Sequence, residues 1–103
     1  MEEEMEMSSL TRSDNNVLVG NKPFMNYITG VVMQFTTKKA NEVIIKARGK
    51  FIARAVDIAE VSSKRFLDNT VHVDDIRINS EEFTNTEGRQ VRVSTIEISL
   101  KKH

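Results

Sequence analysis

Val43-Ile44-Ile45-Lys46-Ala47-Arg48-Gly49-Lys50 is the stretch on which the fold turns. Its first three residues form an unbroken β-branched run, the pattern of a central strand covered on both faces. Lys46, Arg48 and Lys50 follow at period-two spacing. If extended geometry persists to Lys50, the three cations leave the sheet on one side, as a row of charge suited to a phosphate backbone. Lysine and arginine also serve simply to solvate a strand end, so the octet by itself leaves both readings open.

Working outward from it, Asn16 to Gly20 reads as a short buried strand around Val17-Leu18-Val19, and Pro23 suits the first turn of a helix. Phe24, Ile28, Val31, Val32 and Phe35 then make an apolar stripe about four turns long. Gly30 either weakens this helix or admits a close neighbour. A second helix is expected from near Lys50, with Ile52, Ala55, Val56, Ala59 and Phe66 on one side, Arg54, Asp57, Glu60 and Lys64 on the wetter side, and a favourable Glu60–Lys64 pair.

Downstream the period falls to two. Val71 to Ile78 and Val91 to Leu100 read as strands of a hairpin turning at Asn85-Thr86-Glu87-Gly88. The order β-α-β-α-β-β gives an α+β fold with a mixed four-stranded sheet, two helices on one face and a long C-terminal β-hairpin arm. With that turn, facing residues have numbers that sum to about 174, so Ile76 meets Ile98, Ile78 meets Ile96 and Phe83 meets Val91. Apolar positions are even near the base (76, 78, 96, 98, 100) and odd near the tip (83, 91, 93), so the buried face changes along the hairpin. Two explanations stand: a homodimer partner against one set, or a β-bulge within the monomer.

The formal charge of zero hides an asymmetry. Residues 1–14 carry five carboxylates against Arg12, a charge of −4, which leaves +4 on residues 15–103. The first segment is expected to be a disordered acidic tail, either competing with a polyanion for the basic body or merely solubilising it, and residues 15–103 to be the domain. Without cysteine there is no thiolate metal site, disulfide or thiol nucleophile. No apolar run approaches the ~20 residues of a membrane span, and the acidic start does not resemble a secretory signal, so a soluble, intracellular protein is expected.

Five blocks in order, VLVGNKPFMNY (17–27), VIIKARGK (43–50), Ala55-Val56-Asp57, Arg65-Phe66 and VSTIEI (93–98), resemble the Alba family of small archaeal chromatin proteins over nearly all of residues 16–102. The resemblance implies the fold just derived, a homodimer, cytoplasmic and nucleoid-associated, and largely sequence-independent binding of double-stranded DNA, with RNA binding or an RNA-chaperone role as the alternative. It assigns Lys22, with Asn21, to a central DNA-facing loop, Lys46, Arg48 and Lys50 to its flanks, and Asn85, Arg89 and Arg92 to an arm reaching toward a minor groove. Arg65 and Phe66 match the place where family dimers meet on DNA, although from the residues alone Phe66 reads as core.

One departure concerns Asn21, which stands where the family commonly has the first, acetylatable lysine of a Lys-Lys pair. It removes a cation and that switch, and implies weaker binding than in a strongly basic relative. An enzyme is not expected. His72 and Asp74 share a strand face with no third partner evident, and no phosphate-cradling glycine loop, nucleophile elbow or catalytic carboxylate pair is present. No cofactor, metal or small-molecule substrate is implied.

Overall fold

A computed structural model describes residues 15–103, and the acidic tail expected over 1–14 lies outside the described residues. The elements are β1 (Asn16–Leu18), α1 (Phe24–Thr36), β2 (Glu42–Arg48), a 3-10 turn (Gly49–Phe51), α2 (Ile52–Val61), a π-helical turn (Ser62–Phe66), β3 (Val71–Thr84) and β4 (Gln90–Lys102). β1 runs parallel to β2, β4 antiparallel to β2, and β3 antiparallel to β4. The sheet order is β1-β2-β4-β3, the mixed four-stranded α+β arrangement expected from the sequence.

Period two builds the core. Val17, Val19, Val43, Ile45, Ala47, Ile96, Ile98 and Leu100 point to the helices and are buried with Ile28, Val31 and Phe35 of α1 and Ala55, Ile58 and Ala59 of α2. The expected α1 stripe is therefore a core face, with Phe24 and Val32 packed at its margin. In α2 the stripe is only partly right: Ile58 is fully buried, whereas Val56 and Phe66 are exposed.

The unbroken run at Val43–Ile45 predicts burial on both faces, and here the structure differs. Val43 and Ile45 are fully buried, but Ile44 is only half-buried, because the helices lie on one face and the other carries the side chains of the sheet itself. Its neighbours there include Glu42, Asp75 and Ser99, which shield Ile44 without a second layer.

The hairpin register is as expected. Ile76 faces Ile98, Ile78 faces Ile96 and Phe83 faces Val91, and Gly88 at the turn takes a φ of 83°. Both strands are longer than predicted, because residues 79–84, polar except for Phe83, continue the ladder to the turn. The ladder shifts register between Val73 and Asp75 and then runs unbroken from Asp75 to Thr84. That irregularity precedes both Ile76 and Phe83, so no bulge absorbs the change of parity between them. Opposed side chains in an antiparallel pair share a face. Ile76 and Ile78 therefore lie on the helix side of the ribbon, with Phe83, Val91 and Val93 on the other.

Candidate functional site

Strand direction gathers the candidate residues at one end of the sheet. Because β1 and β2 are parallel, the loop after β1, carrying Asn21 and Lys22, and the 3-10 turn after β2, carrying Lys50, leave the same end. Arg48, the last residue of β2, faces Thr95, which in turn faces Asn79. Five further rungs of the ribbon, Ser80–Ser94 through Thr84–Gln90, continue past that end. At ~3.4 Å per residue they project about 17 Å.

The row of three cations does not form. Gly49 has a φ of 59°, a left-handed conformation that glycine adopts without strain, and the chain turns out of the sheet there. Lys46 and Arg48 share the face without helices, while Lys50 falls in the 3-10 turn, its ammonium 5.5 Å from the centre of the Phe51 ring.

Nor are the strand cations bare. Arg48 Nη2 lies 3.0 Å from Glu81 Oε1 of β3, and its guanidinium carbon is 5.9 Å from the centre of the Phe83 ring. Lys46 Nζ is 3.8 Å from Glu97 Oε2 of β4. Both pairs are largely solvated, so each contributes less than about 1 kcal/mol and opens readily when a phosphate competes for the cation. Glu81 and Glu97 are functional candidates that the sequence reading missed; each emerges only when hairpin register and sheet order are combined.

Farther along the same face, toward the base, the charge reverses. Glu42, Asp74, Asp75 and Glu97 line a cleft of about 320 Å³, with Arg77 and Lys101 among them. Lys101 lies 3.4 Å from Asp74 and Arg77 3.1 Å from Asp75. The cleft lining thus carries four carboxylates against two cations. His72 sits 3.8 Å from Asp74, and its ring stacks on His103 at 4.6 Å. Among the described residues no group of three or more His, Cys, Asp or Glu is arranged to hold a metal ion.

At the ribbon tip, Asn85 Oδ1 accepts the N–H groups of Glu87 and Arg89, both at 2.9 Å, so its carbonyl is committed to shaping the turn. Arg89 follows, exposed. Arg92 faces Glu82 and is on the helix side of the ribbon, the opposite side from Arg48. Arg65 and Phe66 belong to the π-helical turn after α2, and Phe66 is 50% exposed, not the core residue its spacing suggests.

The Lys22 loop is tied down by two residues to which the sequence reading gave no part in shaping it. Tyr27 in α1 is buried, and its hydroxyl accepts the N–H groups of Gly20 at 2.9 Å and Lys22 at 3.1 Å. Arg54 in α2, assigned from helical spacing to the wet side, instead donates to the Gly20 carbonyl at 2.6 Å, with its guanidinium 5.6 Å from the centre of the Tyr27 ring. A Cβ at Gly20 would lie 3.6 Å from the Tyr27 hydroxyl, ordinary van der Waals contact. The loop's shape is therefore held by these hydrogen bonds and not by glycine at position 20.

Among known proteins, the family model described as Alba matches residues 15–80. DNA/RNA-binding protein Alba of Methanococcus maripaludis is 47% identical over 89 residues, covering 86% of this chain and 99% of the relative. That of Methanocella arvoryzae is 52% identical, covering 86% and 91%. Of solved structures, Alba from Thermoplasma volcanium superposes with a TM-score of 0.77 at 43% identity, over 85% of this chain and all of the other. ALBA1 from Trypanosoma brucei gives 0.65 at 25% identity, over 88% and 71%.

Proposed function

The chain belongs to the Alba family, and on that premise we propose that it is a non-enzymatic protein that binds double-stranded DNA largely without regard to sequence, as a homodimer, through basic loops and hairpin arms. The observation that carries this reading is the convergence of the Lys22 loop, Arg48, Lys50 and the projecting ribbon at one end of the sheet. Lys22 with Asn21 meets the backbone, while Lys46, Arg48 and Lys50 exchange their internal partners for phosphates. The two ribbons carry Asn85, Arg89 and Arg92 toward the minor groove, where width and negative potential attract arginine. Affinity is then mostly counterion release. Such a protein works on the chromosome, as an architectural component of a nucleoid.

Dimerisation is supported by the apolar band on β3. Val73, Ile76 and Ile78 are all exposed beside a helix layer that stops over β4, and a partner copy would cover them. Exposed Phe66, with Arg65, suits contact between dimers lying side by side on a duplex.

RNA binding through the same surface is the second reading, favoured by the names of the relatives, which are called DNA/RNA-binding proteins. Titrating duplex DNA, duplex RNA and single strands at matched salt separates the two, because phosphates alone do not discriminate. The DNA reading expects DNA at least as tight as RNA, and Lys22→Ala should flatten the dependence of log affinity on log salt by about 0.9 per protomer. A large preference for RNA transfers the function to the second reading, and an unchanged slope removes Lys22 from the surface.

A further inference from the structure

The Gly20–Pro23 loop has the ingredients of a mobile connection: a glycine, a polar asparagine and a solvent-exposed lysine between a three-residue strand and a helix. Pro23, at the helix N-cap position, offers no side-chain cap. Yet the loop is held from two directions. From α1, the buried Tyr27 hydroxyl receives the backbone N–H on either side of Asn21. From α2, 34 positions along the chain from Gly20, Arg54 receives support from the Tyr27 ring and donates to the carbonyl between those two amides. The peptide joining Gly20 to Asn21 is thus gripped at its carbonyl, and the amides flanking it are gripped at their nitrogens.

We infer that Tyr27 and Arg54 are positioning residues for nucleic-acid binding: they form a clamp that holds the Lys22 backbone in its binding geometry before the ligand arrives, while touching no phosphate themselves. The inference rests on the proposed function for what the loop binds. Its physical content is preorganisation. A free loop must surrender backbone freedom when its lysine engages a phosphate, at a cost that falls on affinity. A loop already fixed by three hydrogen bonds has met that cost during folding. The clamp also explains why a single lysine, without a second cation at Asn21, can serve as the central contact: what the loop lacks in charge it offsets by being held in place.

A positioning role and a charge role predict different salt behaviour. The slope of log affinity against log salt counts phosphate contacts, about 0.9 for each, whereas loss of preorganisation lowers affinity at every salt concentration and leaves the slope alone. Tyr27→Phe removes the hydroxyl and keeps the ring in the core. It should weaken binding to a duplex DNA oligonucleotide by roughly three- to tenfold at constant slope, and Arg54→Met should behave similarly. Lys22→Ala should instead flatten the slope.

Amide hydrogen exchange by NMR supplies an arm that needs no ligand: Gly20 and Lys22 amides should be protected in the intact chain and lose protection in Tyr27→Phe, while Val31 and Ile45 amides keep theirs. Unchanged affinity together with unchanged Gly20 and Lys22 protection in Tyr27→Phe overturns the clamp. A slope that falls by about 0.9 per protomer in Arg54→Met makes Arg54 a phosphate contact and removes it from the clamp. If the intact protein fails to bind any nucleic acid, the proposed function fails and with it the ligand of this loop. The exchange arm still decides whether Tyr27 holds it.

Discussion

Arg48 and Glu81 face each other across the open side of the sheet with 3.0 Å between guanidinium and carboxylate, although β2 and β3 are not neighbours: β4 runs between them. In the proposed DNA-binding mode a phosphate oxygen would take the place of the Glu81 carboxylate beside Arg48, which makes Glu81 an internal competitor for that cation. Lys46 and Glu97 repeat the relation one strand closer, at 3.8 Å.

Removing the competitor should release the cation. Glu81→Gln keeps the size of the side chain, and because an exposed ion pair contributes up to about 1 kcal/mol, duplex DNA affinity at low salt should rise by up to about fivefold. Fluorescence anisotropy with a labelled duplex reads the change. Weaker binding would mean that Glu81 orients Arg48 instead of competing for it.

Ile78 and Ile96 are direct cross-strand partners with opposite fates, 78% and 8% exposed. The difference measures where the helix layer ends. Ile78→Asp should leave the protomer folded and convert a dimer to a monomer in sedimentation experiments, because it puts an unpaired charge into the band a partner copy would bury. Ile98→Ala, from a buried position, should cost about 2–5 kcal/mol of stability wherever the dimer interface lies. A species that sediments identically with and without Ile78→Asp places the interface elsewhere.

Gly30 sits inside the 13-residue helix α1, and a Cβ there would meet nothing within 4 Å. Among the described residues no close neighbour exploits the missing side chain, so of the two roles open to this glycine the weakening of the helix is the one that applies. Gly30→Ala should stabilise the chain by roughly 0.5–1 kcal/mol in denaturant unfolding and leave DNA affinity unchanged. A loss of stability would reveal a neighbour supplied by another subunit.

The acidic segment can be assessed from its charge. With −4 on residues 1–14 and +4 on the remainder, a chain lacking residues 1–14 should bind duplex DNA more tightly at low salt, with the advantage fading as the Debye length shortens. Equal affinities at ~50 mM salt would assign the segment no part in binding.

How far these features could be read from residues alone depended on whether the deciding interaction was local. The hairpin register followed from one turn, Asn85–Gly88, because a turn fixes every rung behind it. The α1 stripe followed from spacing. The run at Val43–Ile45 misled because an apolar side chain shielded by its own sheet, as Ile44 is, has the same sequence signature as one covered by a second layer. Gly49 ended the cation row because its backbone turned left-handed, and a glycine after a strand signals that option without choosing it. Arg54 and Tyr27 were invisible as a pair: helical spacing says which side of α2 Arg54 occupies but not that the β1–α1 loop passes over it. Glu81 required knowing that β4, not β2, is the neighbour of β3.

Among the described residues the five outermost rungs of the β3–β4 ribbon have no third strand beside them, and a two-stranded hairpin in water is only marginally stable by itself. The arm is thus anchored firmly at its root and lightly near its end, like a fishing rod. In the proposed DNA-binding mode, a tip held this lightly would adjust to grooves of different width and stiffen once seated. On that reading the target need not be chosen by letter, since the adjustable part of the molecule would make the final fit.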